Sequence, residues 1–173
     1  ADEAWEKCNA MLTKGNMGAK DLITKSNVKV LCTTDDPADT LEYHIEIAKD
    51  KDFAAKVLPA FRPDKAVNIE KDGFAEYIAE KLEVTYGSKI ENIDELCACM
   101  EKRIEFFASL GCKTSDHGMD YVPYSPCTKE QADAVYKKAR SGEKVTDAEA
   151  DMYKTYMLTF FAVEFAKRDW VMQ

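Results

Sequence analysis

The stretch "VLPAFRPDK", residues 57–65, decides the fold. Its apolar half, 57–61, changes without a spacer into a charged half, 62–65. A short apolar run that ends at such a boundary is typical of a buried strand. Ligands of parallel sheets bind beyond the carboxyl ends of the strands. The stretch therefore predicts a buried strand that carries a cation, Arg62, to the edge where a ligand would bind.

The same alternation of strand and helix recurs along the chain. Besides the strand at 55–61, β-rich runs predict strands near 28–33 and 112–116, and "WVMQ" at 170–173 predicts the start of a fourth. Because each parallel pair needs a helical crossover, this alternation predicts a parallel sheet whose strand order follows the chain. We therefore predict an α/β, helix-rich fold with about three parallel strands.

Helical periodicity accounts for most of the remaining sequence. The predicted helices cover residues 2–12, 18–25, about 36–48, 75–82, 93–107 and two segments that begin after Thr128 and Thr146. Asp36 is predicted to cap the third helix and Gly111 to end the fifth. Capping boxes formed with Gln131 and Glu149 open the last two. Since the region 119–169 is longer than one crossover requires, we expect a helical insertion near the C-terminal end.

Composition and charge exclude several classes of protein. The formal net charge of −8 and the pI of about 4.9 argue against a nucleic-acid partner, which needs clustered cations. No apolar run approaches the roughly 20 residues that cross a bilayer. The start of the sequence shows no basic-then-apolar signal, and several of the six cysteines lie in apolar helix or strand patterns. We therefore expect a cytoplasmic protein with reduced thiols and no membrane partner.

Packing explains two motifs that resemble metal ligands. Cys97 and Cys99 are two apart in a predicted helix, where such positions face different sides. Zinc pairs more often have the spacing C-x₂-C with a second pair elsewhere, which this sequence lacks. His44 lies on or beside the apolar face of its helix, so we predict a packed core histidine.

Polar clusters follow three successive predicted strands. They are "TTDD" at 33–36, "RPDK" at 62–65 and "SDHGMD" at 115–120. A loop after a buried strand is polar in any protein, so each cluster by itself has a trivial explanation. Parallel strands, however, release their carboxyl ends at one edge, and three such clusters together favour a single ligand site.

The residue types in these clusters suggest a small, polyhydroxylated anion such as a sugar acid. Arg62 offers a planar fork for a carboxylate or phosphate, and Lys65 adds charge nearby. The glycines form no phosphate-cradling pattern, which argues against a nucleotide. Thr34 and Asp35 suit hydroxyl groups. We predict that Arg62, Thr34 and Asp35 bind the substrate.

Asp116 and His117 are the candidate catalytic pair. A carboxylate beside an imidazole could orient it for acid–base catalysis. Adjacent residues of a strand point to opposite faces, however, so the two side chains need not act together. No metal ligand is predicted within this chain.

The same segments resemble a known family. "NVKVLCTTDDPADTLEYH", "KVLPAFRPDKAVNIE" and "GCKTSDHGMD" resemble the corresponding parts of uronate isomerase (glucuronate isomerase), within the amidohydrolase superfamily. The resemblance implies a distorted (β/α)₈ barrel of the TIM type. It also implies interconversion of D-glucuronate with D-fructuronate and of D-galacturonate with D-tagaturonate. Arg62 matches the "RPD" arginine of the family and would hold the anionic sugar.

The resemblance further implies a divalent metal, typically zinc, whose main ligands lie outside this chain. The family's H-x-H motif would precede Ala1, a further histidine would follow Gln173, and an aspartate would come much later. We therefore expect residues 1–173 to be a single central segment of the barrel that lacks its first and last strands. Such a segment would be inactive alone, and its open strand edges would favour a homo-oligomer.

Two alternatives stay open at this point. The chain could be a non-catalytic fold segment, or it could be a sugar-acid-binding α/β protein unrelated to the family.

Overall fold

The computed structural model describes residues 2–15 and 17–173. They divide into two compact units. The first contains the described residues up to Thr33 together with Leu41–Leu58, and the second contains Thr34–Thr40 and Pro59–Gln173. All the predicted site residues belong to the second unit: Thr34, Asp35, Arg62, Asp116 and His117.

The first unit contains three helices and two short strands. They are α1 (Asp2–Thr13), α2 (Ala19–Lys25), β1 (Val30–Cys32), α3 (Glu42–Ile47) and β2 (Lys56–Leu58). The strands pair in parallel, with Leu31 opposite Val57. The first two predicted helices and the parallel pairing of the first two strands are confirmed.

The predicted start of the third helix, with Asp36 as its cap, is wrong. Helix α3 begins only after Leu41, which has a left-handed backbone (φ +54°). The Asp36 carboxylate instead accepts the Ala38 N–H at 2.9 Å, and the Asp39 carboxylate accepts the Asp36 N–H at 3.0 Å. Aspartate side chains that bond to nearby backbone groups favour turns over helices. Arg103 stabilises the turn further by donating to two of its carbonyls, at 2.5 and 2.7 Å.

Parallel pairing in the second unit follows the order of the chain. The paired segments are, in order, Asp35, Phe61, β3 (Thr114–Ser115) and β4 (Val171–Met172). Phe61 lies in the middle of this series. Its N–H donates to the Thr114 carbonyl at 3.1 Å, and its own carbonyl accepts the Asp116 N–H at 3.0 Å. The predicted parallel pairing and strand order are therefore confirmed for these segments.

The strand predicted at 55–61 is shorter than expected. Strand β2 ends at Leu58, and residues 59 and 60 lie outside any strand before the pairing at Phe61. Pro59 has no N–H to donate to a ladder. The Ala60 N–H, in turn, donates to the Asp35 carboxylate at 3.1 Å. A side chain thus replaces a backbone acceptor at this position.

Helices make up most of the second unit. They are α4 (Asp64–Val67), α5 (Phe74–Tyr77), a π-helical turn (Ile78–Leu82), α6 (Glu83–Tyr86), α7 (Ile93–Ser109), α8 (Lys129–Arg140) and α9 (Asp147–Ala166). Both predicted capping boxes are present, at Thr128 and Thr146. Gly111 follows the end of α7 with φ +88°, as predicted. No helix in the described ranges combines the length and the apolar character that crossing a bilayer requires.

An aromatic cluster around Phe61 forms the core beneath the sheet. Phe61 is fully buried. Its ring centroid lies 5.0 Å from that of Phe107 on α7 and 5.9 Å from that of Phe165 on α9. Phe161 and Trp170 complete the contacts, at 6.0 and 6.4 Å. Two long helices and the residue before β4 therefore pack on one side chain of the central segment.

Cys97 and Cys99, the two cysteines with a metal-like spacing, pack within the second unit. The six cysteines, all within the described ranges, form no disulfide with one another, and Cys99 is buried while Cys97 is half-buried on the same helix, α7. Burial raises the pKa of Cys97 to about 12 and that of Cys99 to about 11. Both thiols are therefore protonated at neutral pH, which is typical of structural cysteines.

The substitution Phe61→Ala should lower the free energy of unfolding by about 3 to 5 kcal/mol, because it removes a fully buried ring and leaves a cavity among four aromatic side chains. Chemical denaturation measures this loss. Tyr124→Ala is the control, since Tyr124 is 83% exposed. Equal losses in the two variants would contradict the central place of Phe61.

Candidate active site

The backbone ladder places the three polar clusters side by side. Thr34 and Asp35 lie at the first paired segment, Arg62 follows the second, and Asp116 follows β3. The Arg62 N–H donates to the Asp35 carbonyl at 2.9 Å, and the Asp116 N–H donates to the Phe61 carbonyl at 3.0 Å. These two backbone hydrogen bonds fix the main-chain positions of Arg62 and Asp116, from which their side chains extend.

Two carboxylates hold the Arg62 guanidinium. Its Nε donates to Asp64 Oδ2 at 2.7 Å, and its Nη1 lies 3.4 Å from Asp116 Oδ2. The hydrogen bond to Asp64, followed by the charges of Asp64 and Asp116, raises the pKa of Arg62. The Arg62 side chain is 38% exposed, so a ligand can reach it from solvent. A permanently charged donor group is thus held in one orientation at the surface of the site.

Asp116 joins Arg62 to Thr34. The carboxylate oxygen Oδ2 that lies near Arg62 also accepts the Thr34 hydroxyl at 3.3 Å. Three predicted site residues, which are far apart in the sequence, therefore meet at one carboxylate.

Asp35 lies beside this group, but its side chain contacts the backbone. The residue is only 8% exposed, and its Oδ2 accepts the Ala60 N–H. The carboxylate therefore supports the ladder where Pro59 interrupts β2. Its predicted role in binding a substrate hydroxyl is not tested by this contact and stays a prediction.

His117 contacts a different set of neighbours from Asp116. Its Nε2 lies 3.0 Å from the hydroxyl of the fully buried Ser115, and its ring lies 6.3 Å from that of Phe165. Burial lowers the pKa of His117 below its ordinary value of 6.5, although the charges of Asp64 and Asp116 oppose the shift. The imidazole is therefore neutral at neutral pH. The side chains of Asp116 and His117 therefore have different hydrogen-bonding partners, although the charge of Asp116 reaches the imidazole.

Sequence reasoning missed two residues of the Arg62 network, Asp64 and Gly118. The Gly118 N–H donates to both carboxylate oxygens of Asp64, at 3.1 and 3.0 Å. The "RPD" sequence was a usable signal for Asp64, because an acid two residues after an arginine can reach its guanidinium. Gly118 gave no such signal, because its importance depends on a contact across two loops.

Lys65 and His44 have other partners. Lys65 Nζ lies 3.3 Å from Asp36 Oδ2 and 5.5 Å from the centroid of the Tyr77 ring. Lys65 therefore forms an ion pair with Asp36. In the first unit, His44 is half-buried and its Nε2 lies 2.7 Å from the Thr33 hydroxyl.

A polar cavity borders the network at Gly118. Its volume is about 320 Å³, and its walls include Asn68, Lys71, Tyr121 and Lys154. Lys154 is paired with Glu70 at 2.6 Å. A cavity of this size falls within the range of small-molecule sites.

The residues present do not make a metal site by themselves. Within residues 2–15 and 17–173, no group of three or more His, Cys, Asp or Glu side chains could hold a metal ion. A catalytic zinc typically needs three converging protein ligands. The described side chains therefore do not fit a resident zinc without ligands from elsewhere.

Comparison with known sequences identifies the family. The family model described as glucuronate isomerase matches residues 1–173. A uronate isomerase of Caldanaerobacter subterraneus is 48% identical over 173 residues, which cover 100% of this chain and 37% of that protein. A uronate isomerase of Bacillus subtilis is 43% identical over 169 residues, covering 98% and 36%. The chain thus spans little more than a third of the length of these relatives.

Solved structures agree with the sequence comparison. The crystal structure of uronate isomerase from Thermotoga maritima superposes with a TM-score of 0.92 at 36% identity, covering 99% of this chain and 37% of that one. Glucuronate isomerase from Caulobacter crescentus shares the fold, with a TM-score of 0.87 at 24% identity over 97% and 34%. Since the family match covers every residue from first to last, the chain belongs to the glucuronate isomerase family.

Proposed function

We propose that this chain is part of an aldose–ketose isomerase that acts on hexuronates. The reactions are D-glucuronate to D-fructuronate and D-galacturonate to D-tagaturonate. The observation that carries the proposal is the Arg62 guanidinium, held by Asp64 and Asp116 at the strand ends of a chain that belongs to the glucuronate isomerase family. A fixed arginine fork suits the carboxylate that all these sugars carry.

Residues 1–173 would form a single central segment of a distorted (β/α)₈ barrel of the TIM type, without its first and last strands. Two observations support this placement. The paired segments of the second unit are parallel and follow chain order, as barrel strands do. The solved relatives superpose on this chain over about a third of their own length.

The side chains have distinct roles in the proposed site. Arg62 binds the sugar carboxylate through N–H groups other than the Nε that Asp64 occupies. Thr34 and Asp35 contact hydroxyl groups and orient the open-chain sugar.

Asp116 and His117 would assist the movement of hydrogen between C2 and C1. The neutral imidazole of His117 can accept a proton and return it, since burial keeps its pKa low. Asp116 keeps Arg62 and Thr34 in place, and its carboxylate, with a side chain that is 32% exposed, can accept a substrate hydroxyl.

The remaining expectations concern the longer protein. A divalent metal such as zinc would polarise the sugar oxygens, with its ligands outside this chain, and no step here is derived through it. We place the enzyme in the cytoplasm. Self-association through open strand edges remains a prediction, and Val171 of β4, which is 65% exposed, is a place where it could occur.

Family membership sets aside the alternative of an unrelated sugar-acid-binding protein. The other alternative is that the chain alone is a non-catalytic fold segment. It agrees with the proposal, because the active site of the longer protein would need residues that this chain does not supply.

Replacing Arg62 with Lys in the full-length protein should lower kcat/KM for glucuronate by about tenfold to a hundredfold, since the charge remains but the planar fork is lost. Steady-state kinetics measure the effect. Arg168→Lys is a matched control, because Arg168 also lies between two carboxylates, those of Glu164 and Glu105. Wild-type turnover by the Arg62 variant would show that Arg62 is only a loop residue.

Replacing His117 with Asn in the full-length protein should lower activity while circular dichroism shows an intact fold. In the wild type, activity that needs the neutral imidazole should persist at neutral pH and decline as the pH falls through the lowered His117 pKa, below 6.5. The Asn variant should lose that acidic limb of the kcat/KM profile. An unfolded variant would assign His117 a structural role instead.

The isolated 173-residue chain should neither bind zinc tightly nor isomerise hexuronates, because its described residues do not form a three-ligand cage. Metal analysis and a glucuronate assay on the purified chain check this, with the full-length protein assayed in parallel. Stoichiometric zinc together with turnover by the chain alone would place the active site within residues 1–173.

A further inference from the structure

We infer that Asp64 and the main-chain N–H of Gly118 form a positioning device for Arg62. They fix the direction in which its guanidinium meets the substrate. The inference rests on the proposed function, since it assigns these residues to the arginine that binds the hexuronate. Both residues lie within the polar clusters at 62–65 and 115–120, but neither is among the individually predicted site residues.

The Asp64 carboxylate is anchored before it meets Arg62. Both of its oxygens accept the Gly118 N–H, at 3.1 and 3.0 Å. Oδ2 also accepts Arg62 Nε at 2.7 Å. Its side chain is 23% exposed, and its backbone opens helix α4. An anion that is fixed by a backbone donor on one side and by a helix on the other presents a fixed acceptor to the guanidinium.

Asp64, rather than Asp116, sets the orientation of the guanidinium. The contact from Arg62 to Asp64 is 2.7 Å, against 3.4 Å to Asp116. The bond to Asp64 also uses Nε, so the plane of the fork is set at its base. Of the two Nη groups, Nη1 then lies 3.4 Å from Asp116 Oδ2, and Nη2 lies beside Gly118.

Glycine is required at position 118 because a larger side chain would collide with Arg62 and Asp64, and not because of the backbone conformation. Five other glycines of the chain have positive φ, but Gly118 is not among them, so other residues could adopt its backbone. A Cβ at Gly118 would lie 2.5 Å from Arg62 Nη2 and 2.7 Å from Asp64 Oδ2. Both are far closer than ordinary contact. Because these atoms end flexible side chains, an added methyl group would displace Arg62 and Asp64 rather than break the loop.

A purely structural explanation is that Asp64 only ties two loops together. It predicts that substitutions lower stability and affect activity only through folding. The positioning role predicts instead that activity falls without a loss of stability, and that the loss requires Arg62.

The first test uses Gly118→Ala in the full-length protein. It should lower kcat/KM for glucuronate by about tenfold to a hundredfold, because the charge-assisted alignment of Arg62 is lost, while Tm stays unchanged. Gly18→Ala is the matched control, since its Cβ would meet only Asp21 Oδ2 at an ordinary 3.4 Å. Wild-type kinetics for Gly118→Ala would overturn the inference.

A double-mutant cycle with Arg62→Lys provides the second test. Once Arg62 is replaced, adding Gly118→Ala should cost less than about threefold more, since residues that act as a unit are non-additive. Fully additive losses would overturn the inference. If Gly118→Ala does not fold, Asp64→Asn and Asp64→Ala give the same cycle, and the Asn variant should retain more activity.

These measurements separate the inference from the proposed function. If Arg62→Lys alone turns over glucuronate at the wild-type rate, the proposed function fails, and the positioning role fails with it. If Arg62→Lys is impaired but the Gly118 and Asp64 variants are not, only the positioning role fails.

Discussion

The position of Phe61 is the constraint on which the second unit depends. Its backbone occupies the middle of the parallel series, and its ring lies among four aromatic side chains of the core. Arg62 is the next residue, so its backbone position is fixed by the same packing. A slip of one residue in the ladder would turn Phe61 to solvent and Arg62 into the core. Both the aromatic core and the position of the site cation would then be lost. The core therefore determines where the site cation lies.

The charges around Arg62 explain how such a site could discriminate among ligands. One cation lies among two carboxylates, so the local charge is not strongly positive and a bare anion gains little from it. The site instead provides a guanidinium whose orientation is fixed. A guanidinium that is already held by Asp64 loses little conformational entropy when a ligand binds, and its remaining donors match a planar carboxylate. Selectivity for a sugar acid would then depend on geometry more than on total charge.

Sequence patterns predicted the elements whose signals are local. The capping boxes at Thr128 and Thr146 and the helix end at Gly111 need only a few neighbouring residues, and all three were confirmed. The start of helix α3 was mispredicted because Asp36 prefers a turn that Arg103, 67 positions later, stabilises. Nothing near Asp36 in the sequence records that contact. The meeting of Thr34, Arg62 and Asp116 was predictable because parallel strands share an edge, but the partner of each side chain was not.

The "TTDD" cluster shows why polar residues at strand ends cannot be assigned from the sequence alone. Asp35 replaces a backbone acceptor where Pro59 interrupts β2, and Asp36 accepts the Tyr77 hydroxyl at 2.6 Å and pairs with Lys65. Both carboxylates thus stabilise the local structure, and the predicted contact of Asp35 with a substrate hydroxyl would be additional to this role. The acid that holds Arg62 most closely lies instead in the same four-residue cluster as the arginine. A polar cluster at a strand end therefore contains residues that stabilise the local backbone and residues that position the ligand-binding groups. Only the contacts between loops show which role a given residue has.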